Sequence, residues 1–259
     1  MDKIIKHEVV KYDRCDKKII EETMIYEYPL SIFVNGKNIT TLTCTPEKLE
    51  ALTKGFLRTQ GIINSSCDIE SFELDEESGI AKVQLKGKNN TLLNKNIFTV
   101  GFNQKNSSEF FLRLIEVNNY KIVDSHMSLD IPRIYGFMEQ NLAYSETFKL
   151  TGGAHCVALC DRESILVICE DVARHNAMDK VIGEALIRNI PLEDKIVLVS
   201  GRVSYEMIAK TARFGIPIII SKSAPTSLSI GLAKALKVTL IGFVRGERMN
   251  VYTSPERVK

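Results

Sequence analysis

Residues 195–221 read KIVLVSGRVSYEMIAKTARFGIPIIIS, and this stretch decides the fold class. Two short runs of uniformly apolar, mostly β-branched residues, at 196–199 and 218–220, stand on either side of a segment with helical periodicity. Strands that are apolar on both faces are typical of a sheet that helices cover from both sides. The stretch therefore predicts a strand, a helix and a second strand, all buried.

The same alternation continues on both sides of this stretch. Upstream, AHCVALC and SILVICED predict two strands joined at residues 161–163, and a helix over residues 173–189 follows them. Downstream, TSLSIGLAKAL predicts a helix and VTLIGFV predicts a strand. We expect a three-layer α/β/α domain that opens with an antiparallel hairpin.

The first half of the chain predicts hairpins around one helix and not an alternation of strands and helices. IYEYPLSIFV and KNITTLTCT predict a hairpin that turns at Asn35-Gly36, a dipeptide suited to positive φ angles. A helix is predicted next, with Thr45 as its cap and Pro46 as its first residue, and Gly61 ends it. Residues 67–87 predict a second hairpin with Gly79 at its turn.

We divide the chain into two domains. Residues 1–147 form a predicted N-terminal α+β domain, which contains a polar, flexible loop near 87–107 around the short strand NIFTV. Two further helices are predicted near Ser108–Glu116 and Pro132–Asn141. The second domain comprises residues 148–259, so the fold class is α/β with a smaller α+β domain attached.

Composition excludes several protein classes. The 259 residues are 44% hydrophobic and 25% charged, with a net charge of +2, which is typical of a globular protein and suggests neither a nucleic-acid nor a membrane partner. The N-terminus has no apolar run suited to a signal peptide. Six scattered cysteines fit reduced thiols better than a disulfide framework, so we expect a cytoplasmic protein.

Polar and small residues follow each strand of the second domain. In α/β sheets, ligands gather where strands end and helices begin. Each residue alone fits an ordinary cap or a solvated surface, but agreement at four junctions favours a polyanionic, nucleotide-like ligand at one sheet edge. The junctions EDVARHN, SGRVS, SKSAPTS and FVRGER contribute Asp171, Arg174, His175, Ser200, Gly201, Arg202, Ser204, Ser223, Thr226, Arg245, Gly246 and Arg248.

The segment EDVARHNAMDK offers a histidine between two acids. Asp171, His175 and Asp179 are four residues apart and would line one face of a continuous helix. A histidine oriented by a carboxylate can act as an acid or a base. Ordinary charge pairs at a helix start explain the same residues equally well, so both interpretations stay open.

The segment TGGAHCVALC (151–160) combines glycines, a histidine and two cysteines. On a strand, Cys156 and Cys160 would lie roughly 13 Å apart, too far to share one tetrahedral metal. His155 would point away from Cys156, so the two cannot form an activated pair. We expect the cysteines to be core residues and the wall of a ligand site to consist of Thr151, Gly152, Gly153 and His155.

These motifs resemble the formate dehydrogenase accessory sulfurtransferase family (FdhD). The resemblance rests on TGGAHCVALC, CEDVARHNAMDKVIGEAL, VSGRVSYEMIAKTARFGIPIIISKSAPTS and LIGFVRGERMNVYT, and it extends to YPLSIFVNG and TKGFLRTQGII. It implies a cytidine-deaminase-like fold without the deaminase zinc, in a cytoplasmic homodimer. It also implies sulfur transfer from a cysteine desulfurase to the molybdenum cofactor of formate dehydrogenase, the polyanionic bis-molybdopterin guanine dinucleotide. The family's binding residues map onto Phe243, Val244, Arg245, Gly246, Glu247 and Arg248.

One family motif is missing. The C-x-x-C that carries the persulfide falls at Gly101 and Gln104 in an ungapped placement, and an amide or a hydrogen atom cannot replace a thiolate. Either another cysteine substitutes, with Cys156 the best placed by motif, or the protein is a cofactor-binding chaperone without sulfur transfer. A deaminase-like hydrolase is disfavoured, because Cys156 and Val157 follow His155 where that chemistry requires a glutamate two residues on.

Overall fold

The computed structural model of the chain describes residues 2–87, 111, 115, 120 and 122–259. The helices are α1 (Leu49–Thr59), α2 (Ile131–Tyr144), α3 (Glu146–Thr151), α4 (Arg174–Ile187), α5 (Tyr205–Arg213) and α6 (Ser227–Ala235). The strands are β1 (Ile4–Asp13), β2 (Asp16–Ile25), β3 (Tyr28–Val34), β4 (Lys37–Cys44), β5 (Ile69–Asp75), β6 (Ile80–Leu85), β7 (His155–Cys160), β8 (Ile165–Asp171), β9 (Ile196–Val199), β10 (Ile218–Ser221), β11 (Thr239–Arg245) and β12 (Arg248–Val251).

The larger sheet has the strand order β12-β11-β10-β9-β7-β8. Strands β9, β10 and β11 run parallel to one another, and the β7–β8 hairpin joins β9 antiparallel. The predicted strands and their alternation with helices are thus confirmed. The sequence interpretation missed β12, which folds back antiparallel on β11 after a tight turn at residues 246–247.

Helices cover both faces of this sheet, as predicted. One core packs α4, α5 and α6 against the sheet, with Val157, Val197 and Ile219 fully buried between them. The second core packs α2 on the opposite face, where Ile134 and Phe137 meet Leu198 and other strand residues. Each fully buried aliphatic side chain stabilises the fold by about 1.5–3 kcal/mol, so the two apolar faces together hold α2 and α4–α6 in place.

The smaller sheet has the order β4-β3-β6-β5 and packs on α1. Its first hairpin turns at Asn35-Gly36, where both φ angles are positive as predicted. Thr45, however, does not cap α1: the helix begins at Leu49, and Lys48 occupies the cap position. The Thr45 hydroxyl instead contacts the Asp171 carboxylate at 3.2 Å, because the chain there is tied to β8 of the larger sheet.

Two glycines bring α1 against α4. A Cβ on Gly55 would lie 1.7 Å from the carbonyl oxygen of Asp179, and one on Gly183 would lie 1.8 Å from that of Ala51. Only glycine allows the two backbones to approach so closely. The crossing fixes the smaller sheet to the larger one.

Strands β1 and β2 form a separate ribbon that pairs with neither sheet. Their ten residue pairs run from Ile4–Ile25 at the base to Asp13–Asp16 beside the turn. At the base, the Lys3 ammonium bonds Glu170 at 2.8 Å, and the Ile25 side chain packs close to Gly153. The rest of the ribbon is mostly exposed.

The domain division at 147/148 falls inside α3. Helix α2 precedes the division but packs on the larger sheet, so the cores are not separated at that point and the division stays a prediction. The loop near 87–107 lies outside the described residues except for Gly87, and most of the helix expected near 108–116 does so too. In the described parts of the chain, no helix is both long and apolar enough to cross a membrane.

Candidate functional site

The carboxyl ends of β9, β10 and β11 meet at one edge of the larger sheet. A chain of hydrogen bonds links the loops that follow these strands. The Ser221 hydroxyl donates to the carbonyl oxygen of Gly201 at 2.7 Å, and the Phe243 amide donates to that of Ser223 at 3.1 Å. The predicted junctions SGRVS, SKSAPTS and FVRGER therefore form one continuous surface.

The β11–β12 hairpin supplies two arginines to this surface. A bulge between Gly242 and Arg245 gives Phe243 a positive φ of 54° and turns its half-buried ring outward. The Arg245 guanidinium lies 5.6 Å from that ring, and its Nε donates to the carbonyl oxygen of Lys222 at 3.4 Å. Neither Arg245 nor Arg248 forms an ion pair with a carboxylate of the described residues, so both can bind an anion.

A cavity of about 310 Å³ opens beside the hairpin. It is lined by Phe243, Arg245, Arg248, Met249 and Asn250. An aromatic ring and two guanidinium groups suit a ligand that carries both a flat ring system and phosphates. The sequence interpretation missed Met249 and Asn250, although the alternation in RMNV after the Gly246-Glu247 turn was the available signal.

Three other predicted residues of the β11–β12 hairpin, Val244, Gly246 and Glu247, do not line this cavity. Gly246 adopts a φ of 57° in the exposed turn, and Glu247 accepts a hydrogen bond through its carbonyl oxygen from the Tyr135 hydroxyl at 3.0 Å. Val244 was predicted to bind the ligand, but its side chain is 1% exposed in the core beneath α2. This correction follows from strand alternation, since neighbours of an outward residue point inward.

His155 and Gly201 form the next part of the edge. A Cβ on Gly201 would lie 2.9 Å from Nδ1 of His155, so the imidazole rests directly on the glycine backbone. Burial, together with the nearby Arg174 guanidinium, lowers the pKa of His155. His155 points toward α4, whereas Cys156 faces the opposite side of the sheet, as strand geometry predicted.

His175 lies one residue further along α4 than Arg174. Its Nε2 is 3.3 Å from the half-exposed carboxylate of Glu206, a neighbour that the sequence interpretation missed. Burial and the cations Lys210 and Arg174 lower the pKa of His175 to about 3. The imidazole is therefore neutral near pH 7.

Three buried polar atoms at this edge have no hydrogen-bond partner among the described residues. They are Nε of Arg174, Nδ1 of His175 and Oγ of Ser204. Buried polar atoms are nearly always paired in folded proteins, so unpaired ones at a ligand edge indicate where a ligand or water binds. Nε of Arg174 and the Ser204 hydroxyl can donate to a polyanion, whereas Nδ1 of the neutral His175, whose Nε2 faces the Glu206 carboxylate, can only accept a hydrogen bond.

The predicted helical face of Asp171, His175 and Asp179 is not formed. Asp171 ends β8, before α4 begins, and its fully buried carboxylate bonds the Lys180 ammonium at 2.7 Å. Asp179 is also buried and bonds Lys210 at 2.6 Å. Asp171 is fully buried, so it lies beneath the predicted ligand site and not in it. Both carboxylates pair with lysines, so neither acid orients His175.

The TGG segment turns the chain from α3 into β7. The Thr151 hydroxyl donates to the carbonyl oxygen of Thr147 at 2.7 Å and accepts from the Gly153 amide at 3.1 Å. Gly152 ends α3 with a φ of 67°, a conformation that favours glycine. This turn sits at the ribbon base, where Gly153 meets Ile25.

Cys156 does not have the properties of a sulfur carrier. Its side chain is 2% exposed, and burial followed by the Glu170 carboxylate raises the pKa of its thiol. A thiol that stays protonated and out of reach is a poor nucleophile. The residual assignment of Cys156 as a catalytic cysteine is therefore corrected.

The remaining predicted residues lie in the loops at the carboxyl edge of the larger sheet. Ser200 accepts a hydrogen bond from the Cys156 amide at 2.9 Å, and Thr226 caps α6 by accepting one from the Ser229 amide. Arg202 is exposed and Ser223 is half-buried at the same edge. In the described ranges, no group of three or more histidine, cysteine or acidic side chains could hold a metal ion.

Comparisons with known proteins agree with this architecture. The model of the FdhD/NarQ family matches residues 25–259. A relative from Listeria innocua, named sulfur carrier protein FdhD, is 38% identical over the full length of both chains. A protein of the same name from Bacillus subtilis is 37% identical over 97% of this chain and 96% of its own. A crystal structure from Desulfotalea psychrophila, described as a putative formate dehydrogenase accessory protein, superposes with a TM-score of 0.81 at 28% identity over all of both chains.

Proposed function

The chain belongs to the FdhD/NarQ family, and on that premise we propose that it carries sulfur for the maturation of a formate dehydrogenase. In this proposal it receives sulfur from a cysteine desulfurase. It then passes that sulfur to bis-molybdopterin guanine dinucleotide before the cofactor enters the dehydrogenase. The cofactor is a client of the protein and not a resident group.

The observation that carries the proposal is the arginine-lined hairpin at the sheet edge. Arg245 and Arg248 are free of carboxylate partners among the described residues and border the cavity beside Phe243. We assign the phosphates of the guanine dinucleotide to the two arginines, because guanidinium groups bind phosphate through paired hydrogen bonds. The Phe243 ring offers a surface on which the guanine base stacks.

Sulfur carriage requires an accessible thiol. The thiolate attacks the terminal sulfur of the desulfurase persulfide, the desulfurase thiolate leaves, and a persulfide remains on the carrier. Four of the six cysteines are buried, and burial raises the pKa of Cys44 to about 12 and that of Cys169 to about 11. The exposed cysteines are Cys15 and Cys67, so we assign carriage on this chain to one of these two.

The second proposed function is cofactor binding without sulfur transfer. It is favoured by Gly101 and Gln104, which stand where the family has its C-x-x-C; both lie outside the described residues. A chaperone of this kind would use the same arginine-lined edge. The two functions differ only in whether a persulfide forms.

A persulfide assay separates the two. The protein is incubated with a cysteine desulfurase and cysteine, and the mass of each cysteine peptide is measured. Sulfur carriage predicts one additional sulfur atom on Cys15 or Cys67, which the corresponding Cys15→Ser or Cys67→Ser variant abolishes. No adduct on any cysteine would refute carriage and leave the chaperone function.

The binding edge is tested by calorimetry with GDP as the probe. Arg245→Ala and Arg248→Ala should each weaken GDP binding by about 10-fold or more, since each removes charge-assisted hydrogen bonds to phosphate. Arg162→Ala is the matched control, because Arg162 is exposed in the β7–β8 turn at the opposite edge. Unchanged affinity in both hairpin variants would refute the proposed site.

A further inference from the structure

The larger sheet has a second edge, where its parallel strands begin. Strands β9 and β10 start at Ile196 and Ile218, so their amino ends lie opposite the carboxyl edge that holds the β11–β12 hairpin. A cavity of about 580 Å³ opens at this second edge, between the end of α1, the end of α5 and the loop that leads into β9. We name it the amino-edge cavity. Its volume is typical of sites that bind small molecules.

Two arginines line the amino-edge cavity without a carboxylate partner. Arg58 lies in the last turn of α1, and Arg213 is the last residue of α5. Neither belongs to an ion pair of the described chain. The Arg58 guanidinium lies 5.2 Å from the Phe214 ring, and that of Arg213 lies 6.0 Å from the Tyr120 ring. Both guanidinium groups can therefore bind an anion.

The charge of Arg58 is incompletely compensated. Its Nε is buried and has no hydrogen-bond partner within the described ranges. Burial lowers the pKa of Arg58, although the exposed Glu193 carboxylate opposes this change. Because burial disfavours a charge that its neighbours do not neutralise, an anion in the cavity would stabilise the guanidinium.

Tyr120 adds a buried hydroxyl that lacks a partner. Its side chain is 6% exposed, and its ring lines the cavity. The Tyr205 hydroxyl and the Arg213 guanidinium lie nearby, but neither has the geometry of a hydrogen bond to the Tyr120 hydroxyl. Buried polar atoms are nearly always paired, so this hydroxyl indicates where a ligand or water binds.

The positions of the arginines at helix ends explain them only in part. A cation in the last turn of a helix is stabilised by the helix dipole. That effect does not require a fitted side chain, yet Arg213 packs on the backbone after α1, where a Cβ on Gly61 would lie 2.6 Å from its Nη1. Nor does it explain the unpaired Nε of Arg58. A ligand accounts for both features.

The acids of the cavity limit the charge of that ligand. Asp124, Glu193 and Asp194 are exposed and also line the amino-edge cavity. Three acids against two arginines make the lining negative as a whole, so a dianion such as phosphate is repelled more than a monoanion. A carboxylate is a monoanion that guanidinium groups bind through paired hydrogen bonds.

We propose that the amino-edge cavity binds a small organic carboxylate with an apolar or aromatic body. Arg58 and Arg213 donate hydrogen bonds to the carboxylate oxygens, and the Tyr120 hydroxyl donates another. The body of the ligand contacts the apolar part of the lining, which consists of Ile63, Val123 and Phe214. This site shares no residue with the hairpin site, so it does not depend on the proposed function.

Benzoate is the probe, and benzamide is its uncharged counterpart of nearly the same shape. Binding to the full-length protein is measured from amide chemical shifts in an NMR titration. Benzoate should bind about 10-fold or more tightly than benzamide, because only benzoate accepts charge-assisted hydrogen bonds. The shifted amides should include Phe214 and Gly215, which line the cavity. Inorganic phosphate at the same concentration should not displace benzoate.

Three variants test the assigned contacts. Arg58→Ala and Arg213→Ala should each weaken benzoate binding by about 10-fold or more, since each removes a charged donor. Tyr120→Phe removes only a neutral hydroxyl and should weaken it by about 2- to 10-fold. Arg188→Ala is the matched control, because Arg188 also lies at a helix end but donates to the carbonyl oxygen of Leu166 at 2.8 Å, outside the cavity. It should leave benzoate binding unchanged.

Equal binding of benzoate and benzamide, or no binding of either, would overturn the proposal in the parent protein, whatever the folding of the variants. So would displacement of benzoate by GDP, which would place the probe at the hairpin, or an equal loss of affinity in Arg188→Ala. Circular dichroism establishes that each variant is folded. Failure of GDP binding or of sulfur transfer would leave the benzoate result unchanged, so the two proposals can fail separately.

Discussion

At the scale of single residues, the site is supported by charges buried beneath it. The Lys180 ammonium is fully buried and bonds both the Asp171 carboxylate and the Thr45 hydroxyl, the latter at 2.8 Å. These contacts tie α4 and β8 to the segment that leads into α1. Removing one partner of a buried ion pair leaves an uncompensated buried charge, which costs about 3–5 kcal/mol.

His175 gives the site an acid-sensitive residue. Its pKa in the folded protein is about 3, against 6.5 when unperturbed. Between these values the unfolded chain binds a proton that the folded chain does not, so stability falls as the pH decreases below 6.5. We expect His175→Gln to lose less stability than the parent protein on acidification, by up to about 1.4 kcal/mol per pH unit.

Urea unfolding of both proteins at pH 7, 6 and 5 measures this difference. Glu206 is half-exposed, so its attraction for a protonated imidazole is weakened by solvent and should not reverse the sign. Identical slopes of stability against pH in the two proteins would show that His175 does not stay neutral in the fold.

At the scale of elements, the α1–α4 crossing carries the largest steric constraint. Gly183→Ala would place a methyl group 1.8 Å from the backbone oxygen of Ala51, so the helices must separate. We expect a loss of about 1–3 kcal/mol in the free energy of unfolding, the usual cost of overpacking. Urea unfolding followed by circular dichroism at 222 nm measures it.

Gly136→Ala on α2 is the matched control. It is also a helical glycine, but nothing lies within 4 Å of the position that an added Cβ would take. This substitution should stabilise the protein by about 0.5–1 kcal/mol, because alanine loses less conformational entropy in a helix. Equal effects of the two substitutions would contradict the close crossing.

At the scale of the whole molecule, the periodicity of apolar residues predicted the layers of helices and strands but not the contacts that hold the layers together. Short apolar runs such as IVLV, rich in β-branched residues and bounded by turn residues, favour buried strands, so β7 to β11 and their helices were predictable. Whether a glycine such as Gly55 faces a partner helix depends on a contact more than a hundred residues away, which local patterns do not encode.

The candidate site likewise contains residues that the sequence could place and residues that it could not. The glycine and arginine junctions follow strand ends, so Gly201 and Arg245 could be placed at one edge from sequence. The surroundings of Asp171 could not, because four-residue spacing predicts a shared face only when one helix continues through it, and here β8 ends at Asp171. Thr45 resembles a cap in sequence but bonds Lys180, a partner that only the tertiary fold provides.

The crossing of α1 and α4 also sets an order of events during synthesis. Helix α1 leaves the ribosome more than a hundred residues before α4, so its glycine surface lacks that helix for about 6–26 seconds at ordinary translation rates. Through that interval the smaller sheet can cover only one side of α1. The nascent chain is thus exposed to misassociation until residue 187 has emerged, and slowing translation upstream of α4 would lengthen that exposure.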